Sequence, residues 1–270
     1  MPSGPRDPTA VDDEALHATY VRAMAALAEA SLPYLVGGTH ALSHYTGIKR
    51  SSKDFDVFVR REDFDRVMRA LGAADFTTEL TYPHWLGKAH GADGFVDVIF
   101  SSGNGVSAVD DAWFEYAADG TAFGVPVKLS PAEEIIWSKA FIMERERFDG
   151  ADVMHLFLAR AEKLDWARLV RRFGSHWRVL LAHLCLFGFM YPSERNRIPA
   201  WIMAGLMGRL DHEMRTQPPA ERITQGTLVS REQYLVDVEI WGFKDVRLTE
   251  ASAMTCDDIA QWTQAIDDSK

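Results

Sequence analysis

Asp54 and Asp56 stand one residue apart in the run Lys53-Asp-Phe-Asp-Val-Phe-Val59, at the head of an apolar segment that reads as a strand. A strand sends alternate side chains to opposite faces, so the two carboxylates project together and Phe55 points away. Carboxylates held side by side resist joint ionisation unless a cation or a donor lies between them. Oxygen ligands of this kind suit a hard divalent ion, Mg²⁺ or Mn²⁺. A solvated strand edge would carry the same Asp-x-Asp, so the pair gains its meaning from its surroundings.

Upstream, the segment from Pro33 to Gly47 reads as a short buried strand, a Gly37-Gly38 turn and a helix of two to three turns closed by Gly47. The two glycines permit a tight turn and let a ligand approach without meeting a β-carbon. Thr39 then stands where a helix N-cap belongs, and the free amides behind it favour phosphate. Downstream, Asp97 interrupts the apolar run Gly94-Phe-Val-Asp-Val-Ile-Phe100. A charge in such a strand is costly unless paired or metal-bound. Three carboxylates on neighbouring strands beside a phosphate-binding turn form a pattern suited to two-metal phosphoryl transfer.

With these residues in order, the stretch from Leu35 to Phe58, together with Asp97, resembles the nucleotidyltransferase superfamily that shares the polymerase-β-like fold. More narrowly, Gly-Gly-Thr-His-Ala-Leu, then Tyr-Thr-Gly, then Arg50-Ser-Ser-Lys-Asp-Phe-Asp looks like the bacterial branch that includes AbiEii-type toxins. Lys139, followed by Arg145, Arg147, Asp149 and Asp152, matches that branch in order and approximate spacing. The similarity runs from about Tyr34 to Leu158, and the family's common Ser after the glycines is Thr39 here. The resemblance implies that Asp54, Asp56 and Asp97 bind Mg²⁺ or Mn²⁺, with Asp97 also helping to deprotonate an acceptor hydroxyl. It implies that Gly37, Gly38 and Thr39 cradle the phosphates of an NTP while Arg50 and Lys139 neutralise charge. The acceptor could be an RNA 3′ end such as that of tRNA, a protein or a small molecule, and a cognate antitoxin could be a partner. The alternative is a catalytically inactive module that binds nucleotide or protein.

The elements that must position these residues change character along the chain. Leu16, Tyr20, Met24 and Leu27 predict an amphipathic helix over 12–30. Strands are expected at Tyr34–Val36, Asp54–Val59, Phe95–Phe100 and Val125–Leu129, with a helix over Arg61–Leu71. Beyond Ser130-Pro131 the pattern is helical, with starts at Pro131, Gly150, Asp165, Ser175 and Pro199 and a last helix over Asp257–Ile266. Ser130 is expected at an N-cap, with Pro131 first in its helix. The expected organisation is a disordered lead-in over 1–11, an α/β domain with a small mixed sheet over 12–130, and an α-helical domain over 131–270.

Other polar residues admit two readings. Arg50 could reach a triphosphate or pair with a strand acid; Ser52 shares the face of Asp54, whereas Lys53 points away from it. Asp149, Asp152 and His155 fall on one helical side, and the simpler account pairs Asp152 with Arg145 or Arg147. Arg168, Arg171 and Arg172 share a face that is either a solvated helix surface or a guide for an acidic acceptor. Trp137, Trp166, Trp177, Trp201, Trp241 and Trp262 read as core.

Composition sets the outer bounds. The 270 residues are 47% hydrophobic and 25% charged, an ordinary globular balance. With 29 Lys and Arg against 39 Asp and Glu, the net charge of −10 excludes attraction of polynucleotide by the overall field. Cys185, expected in the core, and Cys256 lack metal-type spacing, and a disulfide-free pair suits a reducing cytoplasm. The N-terminal sequence has no secretory apolar run, and the longest apolar stretch, His176–Tyr191, carries an Arg and two His and falls short of a membrane span.

Overall fold

The computed structural model describes residues 13–50, 54–249 and 254–264. The lead-in expected over residues 1–11, together with Ser52 and Lys53, lies outside the described residues. Helix α1 (Asp13–Glu29) buries Leu16, Tyr20, Met24 and Leu27, the stripe its spacing predicts. Strand β1 (Leu35–Val36) enters helix α2 (Gly38–Thr46), which Gly47 ends at φ 74° in the left-handed region, and β2 (Asp54–Phe58) follows. Helix α3 (Arg61–Ala73) turns Phe64, Val67, Met68 and Leu71 inward. Strands β3 (Thr77–Tyr82) and β4 (Leu86–His90) form a hairpin that leads to β5 (Phe95–Ile99). A short helix, α4 (Asp111–Glu115), precedes a second hairpin of β6 (Ala118–Ala122) and β7 (Val125–Leu129).

The seven strands make one sheet in the order β3-β4-β5-β2-β1-β7-β6. Its β2·β5 and β1·β7 pairs are parallel and the other neighbours antiparallel, so the sheet is mixed. Three strands are absent from the sequence reading: β3, β4 and β6. Leu-Gly-Lys-Ala-His and Ala-Asp-Gly-Thr-Ala are rich in residues with weak strand preference, and Thr-Thr-Glu-Leu-Thr-Tyr, though it holds strand formers, has no apolar alternation to mark a buried face. Pairing and turn geometry make them strands. Phe123 and Gly124 both take positive φ, 50° and 79°, between β6 and β7, as a two-residue hairpin turn of the primed type demands.

The second half is helical: α5 (Ala132–Lys139), α6 (Gly150–Arg160), α7 (Trp166–Phe173), α8 (Trp177–Met190) and α9 (Ala200–Met214). It also holds a small parallel pair, β8 (Ile223–Thr224) and β9 (Lys244–Asp245), with α10 (Leu235–Glu239) between them in the chain. The last described helix, α11 (Cys256–Gln264), sets Trp262 edge-on to Tyr82 and Trp85 at the β3-β4 turn, with ring centroids 4.9 and 5.3 Å apart. The chain is α/β, a mixed sheet with helices following it. One hydrophobic cluster contains residues of α1, of the sheet and of α5 to α9. No helix among the described residues is long and apolar enough to cross a membrane.

Several expectations are corrected. Gly37, not Thr39, occupies the N-cap of α2, and Thr39 is the second helical residue. Pro131 caps α5 in place of Ser130, whose hydroxyl is buried without a hydrogen-bond partner. Cys185 is exposed, because α8 is apolar around most of its circumference and its sequence does not mark a buried face. Trp201 and Trp241 are 58% exposed and are not core, whereas Trp137, Trp166 and Trp177 are buried.

Of the basic stripe on α7, Arg171 is exposed, whereas Arg168 and Arg172 are turned to acids and not to solvent. Arg168 is buried and bonds Glu134 at 2.5 and 2.6 Å and Glu133 at 2.5 Å. Arg172 bonds Glu134 at 3.0 Å and reaches Asp110 at 2.6 and 2.8 Å. Asp110 in turn caps α4 by accepting from the Ala112 amide. The network therefore fastens α7 to the start of α5 and to the loop that leads into α4. Replacing one partner of a buried pair strands the other charge, at about 3–5 kcal/mol. Arg168→Ala is therefore expected to destabilise the fold by that amount in urea unfolding, with Glu133 deprived of its guanidinium and Glu134 left to Arg172 alone; a change under about 1 kcal/mol, the scale of an exposed pair, would contradict the assignment.

Candidate active site

The turn after β1 is built around β2. The Gly37 amide donates to the Asp56 carbonyl at 3.0 Å, tying the turn to the strand. A β-carbon at Gly38 would lie 1.8 Å from Asp56 Oδ2, and Gly38 has φ +51°, so both space and backbone require glycine. A β-carbon at Gly37 would meet the Phe58 ring at 2.1 Å. The clearance that the sequence reading assigns to a ligand is thus taken, on the β-carbon side, by two β2 side chains. The first-turn amides of α2 lie at this same end of the helix, where they lack intrahelical acceptors.

The strand alternation holds as read. Phe55 is fully buried, 5.0 Å from the Tyr20 ring, and the acids occupy the other face. In the parallel β2·β5 pair Asp56 is the register partner of Asp97, and Asp54 shares their face two residues along. On the far side of β5, Lys88 of β4 is the register partner of Asp97. The result is a row, Lys88, Asp97, Asp56, running across three adjacent strands. Lys88 Nζ donates to Asp97 Oδ1 at 2.6 Å and sits 4.2 Å from the Phe95 ring centroid.

The electrostatics follow from this crowding. Burial, then the charges of Asp97 and Asp54, push the Asp56 carboxyl up to about 6, although Lys139 and Arg147 oppose the shift. Burial also raises Asp97, against the hydrogen bond from Lys88. Tyr20, beneath the row, is pushed up to about 12 by burial and by the charges of Asp54, Asp56 and Asp97. A phenol on the opposite face thus registers the negative potential of the three acids.

A cationic group stands within electrostatic reach of Asp56. Lys139 Nζ is 2.6 Å from Asp149 Oδ2 and 2.9 Å from Asp152 Oδ2. Arg50 bonds Asp152 at 2.5 Å, and Arg147 bonds Asp149 through two contacts of 2.9 Å. Burial disfavours ionised Asp149, but the bonds and charges of Arg147 and Lys139 outweigh it and hold its pKa below the usual range. Arg50 therefore pairs with a helical acid and not with a strand acid. Asp152 pairs with Arg50 and Lys139, not with Arg145 or Arg147. His155 Nδ1 is buried without a hydrogen-bond partner.

Thr39 and Arg50 also line a cleft of about 660 Å³ with His40, Ser43, His44, Asp119, Gly120 and Thr121, between α2 and the edge strand β6. The three acids are not part of that lining. His40 packs on Phe123 and Phe55 at 4.6 and 5.5 Å, and burial, then His17, lowers its pKa.

The donor chemistry of the row fits a hard divalent ion, since Asp56 and Asp97 raise one another's cost of ionisation and a cation relieves it. Asp97 is already bonded to Lys88, and among the described residues no group of three His, Cys, Asp or Glu side chains is disposed to hold an ion as it stands. Sequence reasoning missed Lys88. Its only signal is a lysine in the hairpin before the Asp97 strand, and its partner is fixed by sheet register alone.

No family model matches the chain, and no curated protein matches it. Among solved structures it is similar to the solution structure of the antibiotic-resistance factor ANT(2'')-Ia, at 19% identity, covering 64% of this chain and 96% of that chain, with a TM-score of 0.44. It is similar to the lincosamide antibiotic adenylyltransferase LnuA bound to lincomycin, at 12% identity, 52% and 94% coverage and a TM-score of 0.38. An antigenic nucleotidyltransferase-like protein from Paracoccidioides brasiliensis gives 17% identity, 69% and 93% coverage and a TM-score of 0.44.

The raised Asp56 carboxyl sets a pH dependence of folding. Its value moves from 3.8 to about 6, so the stability it contributes is present below about 3.8 and is lost as pH rises through about 6. Asp56→Asn is expected to be more stable than wild type at pH 7.5 without divalent ions, by up to ~3 kcal/mol, with a smaller gap at pH 5. Thermal unfolding at the two pH values measures this. A gap that widens toward pH 5 would contradict the strained carboxylate.

Proposed function

We propose that this chain is a metal-dependent nucleotidyltransferase that moves an NMP from an NTP to an acceptor hydroxyl and releases pyrophosphate. The observation that carries the reading is the register of Asp56 beside Asp97, with Asp54 on the same face, at the end of the sheet where the Gly37-Gly38 turn opens α2. Such a concentration of carboxylates, two of them half-buried, is costly to the fold and suits a site whose substrate arrives with divalent counter-ions. A bound Mg²⁺ or Mn²⁺, held by Asp54, Asp56 and Asp97, would neutralise the triphosphate and acidify the attacking hydroxyl.

The chain's own residues supply the remaining functions. The first-turn amides at Gly38 and Thr39 offer donors to phosphate oxygens, in line with the positive end of α2. Lys139 and Arg50 are held in place by Asp149 and Asp152, so their positive charge is preorganised before a triphosphate arrives. Asp97, the register neighbour of Asp56, would take the proton of the acceptor hydroxyl. The acceptor oxygen then forms its bond to the α-phosphorus while the bond to the bridging oxygen breaks in line, and the electron pair leaves with pyrophosphate.

Within this reading, membership of the AbiEii-type branch, with a toxin role and an antitoxin partner, rests on the Gly-Gly-Thr-His and Arg50-to-Asp56 segments of the sequence. An α/β unit to residue 130 and a helical unit from 131 is the matching organisation, the latter supplying Lys139.

The test is incubation with α-labelled NTPs, Mg²⁺ and either total tRNA or cell lysate, comparing wild type with Asp54→Asn. Label should move to an acceptor with wild type and fall by roughly 100-fold or more in the variant. Label transfer that survives the substitution would overturn the metal role. Release of free NMP with no labelled acceptor would point to a phosphohydrolase using the same acids.

A further inference from the structure

Lys88 has no place in the mechanism above, yet it occupies the third acid. Its ammonium is bonded to Asp97 at 2.6 Å and stacked over Phe95 at 4.2 Å, so two favourable contacts hold it there. The pairing is built into the sheet, because β4 and β5 place the two residues opposite one another. Asp97 is in turn the neighbour of Asp56, so the ammonium lies at one end of the acid row.

We propose that Lys88 is a resident counter-ion of the acid row, and that a divalent cation reaches Asp97 by displacing it. The inference rests on the metal reading of Asp54, Asp56 and Asp97 given above. An ammonium and a divalent ion cannot share one carboxylate without strong mutual repulsion. Lys88 retains 23% side-chain exposure and a flexible four-carbon stem, which gives the ammonium a route from Asp97 to solvent. The device has two consequences. It offsets the repulsion between Asp97 and Asp56 while the row is unloaded, and it lowers affinity for a bare ion. Metal and lysine are then coupled reciprocally, each weakening the hold of the other on Asp97.

The experiment is a Mn²⁺ titration of the full chain without nucleotide, read by the electron paramagnetic resonance signal of free Mn²⁺. It compares wild type, Lys88→Met, Lys88→Gln, Lys88→Arg and Asp56→Asn. The two neutral variants should bind Mn²⁺ roughly 10-fold more tightly than wild type, and Lys88→Arg should stay near wild type. Lys88→Gln keeps a hydrogen bond to Asp97 without the charge and serves if Lys88→Met fails to fold. Mn²⁺ should also raise the Tm of the neutral variants more than that of wild type. Equal or weaker Mn²⁺ binding by the neutral variants, with binding lost in Asp56→Asn, would overturn the role of Lys88 and leave the metal site standing. Absence of Mn²⁺ binding in every protein would overturn the metal reading and this inference with it.

Discussion

The structure depends on a repulsion that the sheet does not allow to relax. Parallel strands sit about 4.8 Å apart, and β2 and β5 are registered so that Asp56 faces its neighbour Asp97 across that gap. Slipping the register by one residue would separate the acids, but it would also turn either Phe55 and Val57 or Val96 and Val98 out of the core, according to which strand moved. Hydrophobic burial on one face therefore enforces charge crowding on the other. Burial first, and then this crowding, push Asp56 up to about 6 and Tyr20 up to about 12.

Cations surround the row at its edges, each tethered to a further acid or ring. Lys88 holds Asp97 from β4, while Lys139 and Arg147, both bonded to Asp149, pull on Asp56 through space. Lys139 comes from the end of α5, and Asp149 and Asp152 from the start of α6, so the packing of those helices sets where the positive charge stands. The Arg168 network, which clamps α7 to the first turn of α5, is then part of the support of Lys139 although it is remote from the acids in kind. A chain with a net charge of −10 thus places a cluster of paired cations beside its row of acids.

The parts of the site that depend on local pattern were legible in the sequence. The two-residue period of β2 put Asp54 and Asp56 on one face, and Gly47 marked the end of α2. The Gly37-Gly38 turn was also legible, but its physical reason was not. The glycines yield space to Asp56 and Phe58, a contact between segments some twenty residues apart that no local rule contains. The same limit hid Lys88, since β4 has a glycine and a lysine where a strand pattern would be apolar and its register with β5 is a tertiary property. Helical spacing grouped Arg168 with Arg172 correctly but could not show that Glu133 and Glu134 lay opposite them. Cys185, Trp201 and Trp241 failed for a related reason: apolar type says that a residue can be buried, not that a neighbour is there to bury it.

The central claim is that the acid row and the α2 turn together form one nucleotide site. A crystal structure with Mn²⁺ and a non-hydrolysable NTP analogue, phased to show the anomalous signal of manganese, tests it directly. The expected result is a manganese peak bonded to Asp54 and Asp56, with phosphate oxygens on the first-turn amides of α2 and within reach of Lys139. An analogue bound in the cleft between α2 and β6, with no manganese at the acids, would contradict it.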